Sequence, residues 1–400
     1  MKRLRLLCIT AALTTTLFSS TVFAAGAAQS AQNLLDVDKA IDMAIENSYS
    51  LKKLDLSISQ LKNNYVDSQR NAAGYDDQLT SLEKLSSTIK NDSLKLNLIN
   101  SQKLSLIQGR DFIQLEYKYA IFQYTNIKQA SENELKAGVY KLYSGLVSLK
   151  EGLDVEQQNF NNVEDQYKKA QFQLQLGLVS KADVKTSEAS YLAEKAKLNQ
   201  YQRQYDAYTK QLNQLLGVDI NTRYTGFTKD NLATSTSSKS YDDYVKDALA
   251  NRIKIKNDNE MIDTKKMEFY SVRGVYNSDK SPQYEVANYP VEAAKNKLET
   301  DKIDISIEIN NLYNDLQVKV KKLEPAKKDY DSMKKTYDKA SQSYNLGLIS
   351  KIDFDKAAVG LKAKEIALKS IQRDIWLAQT NLNYASDIGA DGSTLASANN

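Results

Sequence analysis

The sequence predicts an all-α protein made of two tandem repeats, each of them a long antiparallel coiled-coil hairpin. Three observations support this prediction. The chain contains only three prolines and fourteen glycines among its 400 residues, so few residues interrupt long helices. Apolar residues recur in alternating steps of three and four, as coiled coils require. The octapeptide LGLVSKAD at 176–183 recurs as LGLISKID at 346–353, which indicates an internal duplication.

Residues 1–24 have the order of a secretory signal peptide: basic residues, an apolar run, and small residues before an expected cleavage after Ala24. The single cysteine, Cys8, lies inside this segment, so the mature chain is expected to form neither a disulfide nor a thiolate metal site. A lipid-anchored Cys8 is the less favoured interpretation, because the residues before it are not the small ones of a lipobox. No later segment approaches the ~20 consecutive apolar residues of a membrane helix. We therefore expect an exported protein of the cell envelope.

Basic and acidic side chains nearly balance along the chain. The 54 basic and 50 acidic residues give a formal net charge of +4, of which Lys2, Arg3 and Arg5 contribute three. Nucleic-acid-binding proteins carry a clear basic excess. The composition therefore argues against a nucleic-acid partner and indicates solvated helix faces.

Each copy carries two apolar stripes that are separated by the repeated motif. The first copy has a heptad seam over 135–174 and a second stripe over 184–215. The second copy shows the same pattern over 305–344 and 354–385. Each copy is therefore predicted to be a helix, a tight reversal, and a second helix whose apolar face packs against the first.

The motif itself predicts the geometry of the reversal. Gly177 stands where a helix ends in the left-handed conformation that glycine adopts most readily. Ser180 is then expected to cap the next helix, and Asp183, three residues later, completes an acidic capping box. The second copy repeats these residue types at Gly347, Ser350 and Asp353.

The duplication divides the chain into two repeats. Repeat 1 is predicted to cover 34–220, with its long hairpin at about 126–216. Repeat 2 is predicted to cover 241–386, with its long hairpin at about 296–386.

Three further segments lie outside the long hairpins. Residues 221–240 are rich in Thr, Ser and Asp and are predicted to be a linker, and residues 387–400 are predicted to be a disordered tail. The opening segments of the two copies match at an offset of 204 residues rather than 170, so the first copy carries 34 extra residues, which we place near 76–109. The first half of this insertion has helical spacing and the second half alternates as a strand does, so periodicity leaves both open.

These features together resemble the TolC-type outer-membrane efflux proteins. The resemblance covers most of 34–386 and rests on the segment LDVDKAIDMAIENS, on the two Gly-Leu-aliphatic-Ser turns, and on LNQLLG at 212–217. Members of this family assemble as trimers whose hairpins join into a helical tunnel, with a β-barrel through the outer membrane. Their hairpin tips meet a periplasmic adaptor that leads to an inner-membrane pump. The resemblance therefore implies a homotrimer with an adaptor protein and a pump as partners.

The resemblance also assigns candidate site residues. For the tunnel entrance the candidates are Asp183, Asp353 and Lys356. Asp353 matches an acidic position of the family, whereas Lys356 replaces a second acidic residue, so a strongly cation-selective entrance is not implied. Helix capping is the favoured role of both aspartates. The adaptor-docking tips would be Leu176, Gly177, Leu178, Val179, Ser180, Leu346, Gly347, Leu348, Ile349 and Ser350.

One departure from the family concerns the membrane strands. The family inserts a hairpin of alternating strands in each copy, and each strand needs ~9–11 residues. The second copy offers only about 274–296 for this purpose, a segment that contains Pro282, Pro290 and several charged residues. We therefore expect little or no β-barrel, which would suit an envelope with a single membrane; otherwise the resemblance places the protein in the outer membrane.

No catalytic site is predicted. The chain has no histidine, no Gly-rich phosphate loop and no paired metal-ligand spacing, so neither enzymatic activity nor a cofactor or metal is expected. The function that fits best is an oligomeric efflux or secretion conduit. The alternative is an exported coiled-coil scaffold or regulator of the cell envelope that forms no channel.

Overall fold

A computed structural model describes residues 33–89, 92–228 and 239–392. The predicted signal peptide, the centre of the predicted linker and the last eight residues of the predicted tail lie outside these ranges. Within them the chain is almost entirely helical, which confirms the predicted fold class. The two short strands, β1 (Leu34–Leu35) and β2 (Gly226–Phe227), pair in parallel over two residues each.

Within residues 33–89 and 92–228 the first copy contains five helices. A single π-helical turn at Gln108–Phe112 joins the third helix to the fourth without a break. The helices are α1 (Val37–Asn47), α2 (Tyr49–Thr88), α3 (Ser93–Ile107), α4 (Ile113–Gln175) and α5 (Lys181–Leu216).

Within the described residues 239–392, the second copy contains four helices in the same order, without a counterpart of α3. The helices are α6 (Tyr241–Asn251), α7 (Ile253–Val275), α8 (Pro282–Asn345) and α9 (Lys351–Ser386). The segment 274–296, for which no membrane strand was expected, forms the end of α7, a short connection and the start of α8.

A long central helix organises each copy. In the first copy α4 packs against α2 near its start and against α5 near its end, and in the second copy α8 packs in the same way against α7 and α9. The short helices α1 and α6 cover the middle of α4 and α8, where the two largest apolar clusters lie. The long hairpins therefore extend freely in one direction from this buried middle.

Three glycines explain how closely α4 and α5 approach each other. Gly138, Gly145 and Gly152 are spaced by seven residues on α4, and each faces a large side chain of α5. A Cβ atom on Gly145 would lie 2.9 Å from the ring of Tyr208, and one on Gly152 would lie 3.0 Å from the ring of Tyr201. The rings fill the space that the missing side chains leave, as knobs fill holes in a coiled coil.

The two copies are joined where α4 packs against α9. The guanidinium of Arg373 is buried there and donates hydrogen bonds to Glu151 Oε2 at 2.6 Å and to Ser148 Oγ at 2.9 Å. Tyr140 and Trp376 meet edge to face, with 4.7 Å between ring centroids. A buried guanidinium needs such partners, because an unpaired charge in the interior is costly.

The described residues of the insertion form helix up to Thr88 and again from Ser93, so the strand alternative for its second half is wrong. The carboxylate of Asp92 caps α3 by accepting a hydrogen bond from the amide of Lys95 at 3.1 Å, and Ile99 is buried. Helix α2 has 40 residues, whereas its counterpart α7 has 23. Each arm of the hairpin between α2 and α3 is therefore about 17 residues longer than the matching arm in the second copy, which is half of the insertion. The insertion therefore lengthens a helical hairpin.

Parts of the predicted linker and tail are ordered. Strand β2 lies inside the predicted linker, and Tyr143 Oη donates a hydrogen bond to the carbonyl of Leu35 at 3.0 Å beside it. The predicted tail begins too early: the carbonyl of Gly389 accepts a hydrogen bond from Asn133 at 3.0 Å, and Asp391 pairs with Arg252 at 2.9 Å. Residues 387–392 are thus held by contacts that are distant in sequence.

Candidate functional site

The first hairpin reverses in a turn that backbone hydrogen bonds define. Gly177 has a φ of +69°, and its amide donates to the carbonyl of Leu174 at 3.0 Å. The next amide, of Leu178, donates to the carbonyl of Gln173 at 2.9 Å. This pair of bonds is the Schellman motif, which satisfies the last carbonyls of α4. Glycine is required here because other residues are strained at this φ.

The following helix begins with a complete capping box. Ser180 Oγ accepts a hydrogen bond from the amide of Asp183 at 3.2 Å, and Asp183 Oδ2 accepts one from the amide of Ser180 at 2.9 Å. The hydroxyl of Ser180 also donates to Asp183 Oδ2 at 2.7 Å. These bonds hold the pKa of the Asp183 carboxyl below its usual value. Val184 is buried beneath the turn, as a hydrophobic staple requires.

The second turn repeats this geometry with one difference. Gly347 has a φ of +71°, and the amide of Leu348 donates to the carbonyl of Ser343 at 2.8 Å. Ser350 Oγ accepts from the amide of Asp353 at 3.2 Å and donates to its carboxylate at 2.7 Å. The cap lacks only the bond from the Ser350 amide to Asp353. The same residue types thus build the same turn twice.

Two leucines stand out from each turn. Their side chains are between 56% and 73% exposed, whereas Val179 and Ile349 beside them are half-buried. Because α4 and α9 pack antiparallel, with Tyr140 against Trp376 and Ser148 against Arg373, both turns lie at the same end of the molecule. The exposed leucines of this end are Leu176, Leu178, Leu346 and Leu348.

The candidates for a tunnel entrance lie close to the same turns. The carboxylates of Asp183 and Asp353 accept hydrogen bonds from their capping serines, and Lys356 is exposed on the second turn of α9. In a single chain all three side chains lie on the hairpin surface. Their role at an entrance stays a prediction, because it requires further copies of the chain.

A feature that sequence reasoning missed is an apolar stripe on α8. Five large side chains between 52% and 63% exposed fall within an arc of about 100° around the helix. Among the described residues, α8 makes its main contacts with α6, α7 and α9, and these contacts leave the five side chains largely exposed. The residues of the stripe are Val286, Tyr289, Ile303, Ile307 and Val318.

The opposite edge of the long hairpins, on α5, carries mostly small residues, beside the exposed Leu192. Five alanines are exposed along this helix and follow heptad-like spacing. They are Ala182, Ala189, Ala193, Ala196 and Ala207. Small side chains allow another helix to approach closely.

The contact between α4 and α9 shows how these two edges fit each other. At the 170-residue offset, α9 matches α5 and α4 matches α8. Ser148 on α4, which contacts Arg373 of α9, matches Val318 of the α8 stripe, and Val359 of α9, which is buried, matches Ala189 of α5. Ser148 and Arg373 make this contact inside the chain, and their counterparts Val318 and Arg203 lie on the two uncovered edges.

Two features are absent from the described residues, 33–89, 92–228 and 239–392. None of the helices in these ranges has both the length and the hydropathy needed to cross a membrane. In the same ranges no group of three His, Cys, Asp or Glu side chains is placed to hold a metal ion.

The fold defines a class: two fused helical hairpins around long central helices, as in bacterial outer-membrane channels. No family model and no curated protein sequence matches the chain. Solved structures do match, among them the MtrE outer membrane channel of Neisseria gonorrhoeae in its open state, with a TM-score of 0.61 and 14% identity over 88% of this chain and 89% of that one.

Two further matches have the same character. The CmeC outer membrane channel of Campylobacter jejuni gives a TM-score of 0.57 at 14% identity over 91% of this chain and 89% of that one. The outer membrane protein VceC of Vibrio cholerae gives 0.54 at 12% identity over 88% and 96%. Likeness at this level of identity shows the fold alone. It confirms, for the fold, the resemblance to TolC-type proteins.

Proposed function

We propose that the protein is a subunit of a TolC-like efflux or secretion conduit in the cell envelope, and that it assembles into a tube of helical hairpins. The observation that carries this proposal is the pair of complementary free edges. The α8 edge presents large apolar side chains and the α5 edge presents alanines, so one chain leaves both uncovered. A second chain that places its α5 edge on the α8 edge of the first chain buries both.

Such a contact is heterologous, because it joins two different surfaces of the same chain. Heterologous contacts close into rings when the rotation between subunits allows it. The homotrimer expected from the family resemblance would bring together three copies of the two long hairpins. The solved structures of similar fold are described as outer membrane channels, which supports the proposal of an envelope conduit.

The hairpin tips are proposed to dock an adaptor protein that leads to a pump. Exposed leucines at the end of a rod are unfavourable in water unless a partner covers them. The turns that carry them are held by the Schellman bonds and caps described above, so the leucines are presented in a fixed geometry. An apolar tip held in a fixed geometry is better suited to docking a partner protein than to remaining in water.

The tip proposal is tested by replacing one leucine in each turn. We expect Leu178→Glu combined with Leu348→Glu to abolish export of the cargo, because two charges at the tips oppose an apolar contact. Circular dichroism should show unchanged helicity. As a matched control, Leu56→Glu changes an exposed leucine of α2 far from the tips and should leave export intact. Normal export by the double variant would refute tip docking.

The alternative is an exported coiled-coil scaffold or regulator that forms no channel. The free α8 edge argues against a monomer, since its apolar stripe would remain in water. The mass of the mature protein in mild detergent separates the two proposals. A trimer supports the conduit, and a clean monomer supports the scaffold.

A further inference from the structure

The insertion in the first copy forms a projection at the end of the molecule opposite to the hairpin tips. Helices α3 and α4 form one continuous rod through the π-helical turn, with the tip at Leu176 and the start of α3 at Ser93. The rod is therefore about 125 Å long at 1.5 Å per residue. With about 17 extra residues in each arm, the projection extends roughly 25 Å beyond the connection between α7 and α8.

The end of this projection is apolar. Leu94 is 81% exposed, Leu98 is 61% exposed, and Leu85 on the facing helix is 48% exposed. Leu94 and Leu98 are one turn apart on α3 and share a face. The apolar surface thus covers about 6 Å along the axis of α3.

Below this end, the exposed positions of the projection are polar. The stripe of Leu94 and Leu98 continues on α3 with Ser101, Gln102 and Ser105. A second helix packing along the projection would need apolar residues over several turns. The short apolar end therefore does not fit side-by-side packing with another copy, but it fits insertion of the end into a surface.

Charged side chains lie near the apolar end in sequence and on its flank. Lys84 and Lys95 are exposed, and Lys103 donates to Ser86 Oγ at 3.1 Å on the flank. Two carboxylates accompany them, those of Glu83 and Asp92, the latter paired with Lys95 at 3.0 Å. Lysine stems can lie along an apolar surface while their amines reach anionic headgroups.

From these observations we propose that the end of the α2–α3 projection binds the surface of a phospholipid bilayer that contains anionic lipids. Its leucines enter the boundary between headgroups and acyl chains, where amphipathic elements bury apolar groups to a depth of about 5–10 Å. Its lysines face the headgroups. The proposal does not depend on assembly into a tube, although several copies would strengthen binding by avidity.

The test is flotation of the mature protein with vesicles of phosphatidylcholine and about one third phosphatidylglycerol. We expect the protein to float with the vesicles, and Leu94→Asp combined with Leu98→Asp to weaken this binding at least about tenfold. The matched control is Leu178→Asp combined with Leu348→Asp at the opposite end, which should float as the wild type does. Failure of the wild type to float, or equal flotation of the Leu94 and Leu98 variant, would overturn the proposal.

A second measurement reports the position of the end directly. Residues 25–400 contain no cysteine, so Leu94→Cys can carry a single environment-sensitive fluorophore. Its emission should shift to the blue with vesicles, whereas a label at Leu178→Cys should not respond. A shift that depends on protein concentration and not on vesicles would mean that a second copy covers the end, which contradicts lipid binding. The mass of the assembled protein tests the proposed conduit independently of lipid binding.

Discussion

At the scale of single residues, the most unusual group is Asp258, which is buried between α7 and α8. Its Oδ1 accepts a hydrogen bond from Lys297 at 2.7 Å, while its Oδ2 is buried without a hydrogen-bond partner. Asp301 lies beside it and pairs with Lys254 at 2.9 Å. Burial raises the pKa of Asp258 to about 6, although Lys297 acts in the opposite direction.

This shift predicts a dependence of stability on pH. The folded chain keeps the proton on Asp258 up to about pH 6, whereas the unfolded chain releases it near 3.8. The contribution of this group to the free energy of unfolding is therefore complete below pH 3.8 and is lost as the pH rises towards 6.

Asp258→Asn should remove this loss, since an amide does not ionise. Urea unfolding of wild type and variant at about pH 4.5 and about pH 7 measures the free energy of unfolding of both proteins. We expect the variant to gain stability relative to the wild type as the pH rises. A difference between the two proteins that is the same at both pH values would contradict the assignment.

At the scale of elements, the reversals were predictable because they depend on neighbours in sequence. A Schellman turn needs one glycine at positive φ, and a cap needs a serine with an acidic residue three positions later. These requirements are local, so the motif at 176–183 was enough to predict the turn that the structure shows. The insertion was different, since a short leucine pattern fits helix and strand equally until packing against α2 selects the helix.

Two glycines have open space around them, so an alanine at either position changes only the backbone preference. One substitution tests helix propensity and the other tests backbone strain. No atom lies within 4 Å of a Cβ on Gly74 or on Gly177. Gly74 is inside α2, so Gly74→Ala should raise the free energy of unfolding by about 1 kcal/mol. Gly177 has positive φ, so Gly177→Ala should lower it by about 1 kcal/mol. Thermal unfolding of both variants measures the signs, and stabilisation by Gly177→Ala would contradict the left-handed turn.

At the scale of the whole molecule, the internal duplication predicts how two neighbouring chains would meet. Ser148 and Arg373 touch where α4 packs on α9. Their counterparts 170 positions apart are Val318 on the α8 edge and Arg203 on the α5 edge. If the edges of neighbouring copies repeat the contact inside the chain, these two residues lie close together across the junction.

Cross-linking checks this arrangement. We expect Val318→Cys combined with Arg203→Cys to give covalent assemblies of up to three chains with a short bismaleimide, resolved on a denaturing gel. Val318→Cys alone is the control and should give none, because the same edge does not face itself in a heterologous ring. Absence of linked chains from the double variant, at a concentration where mass measurement shows an assembly, would exclude the junction.

The sequence by itself determined the helical fold class, the duplication and the two turns, because heptad periodicity, glycine placement and capping are properties of residues close along the chain. Only the tertiary structure decided that the insertion is a helical projection, that residues 387–392 pack on α4 and α7, and that α8 and α5 are the uncovered edges. Each of these depends on which distant segments share a surface, and burial against a distant partner leaves no periodic signal of its own in a single sequence.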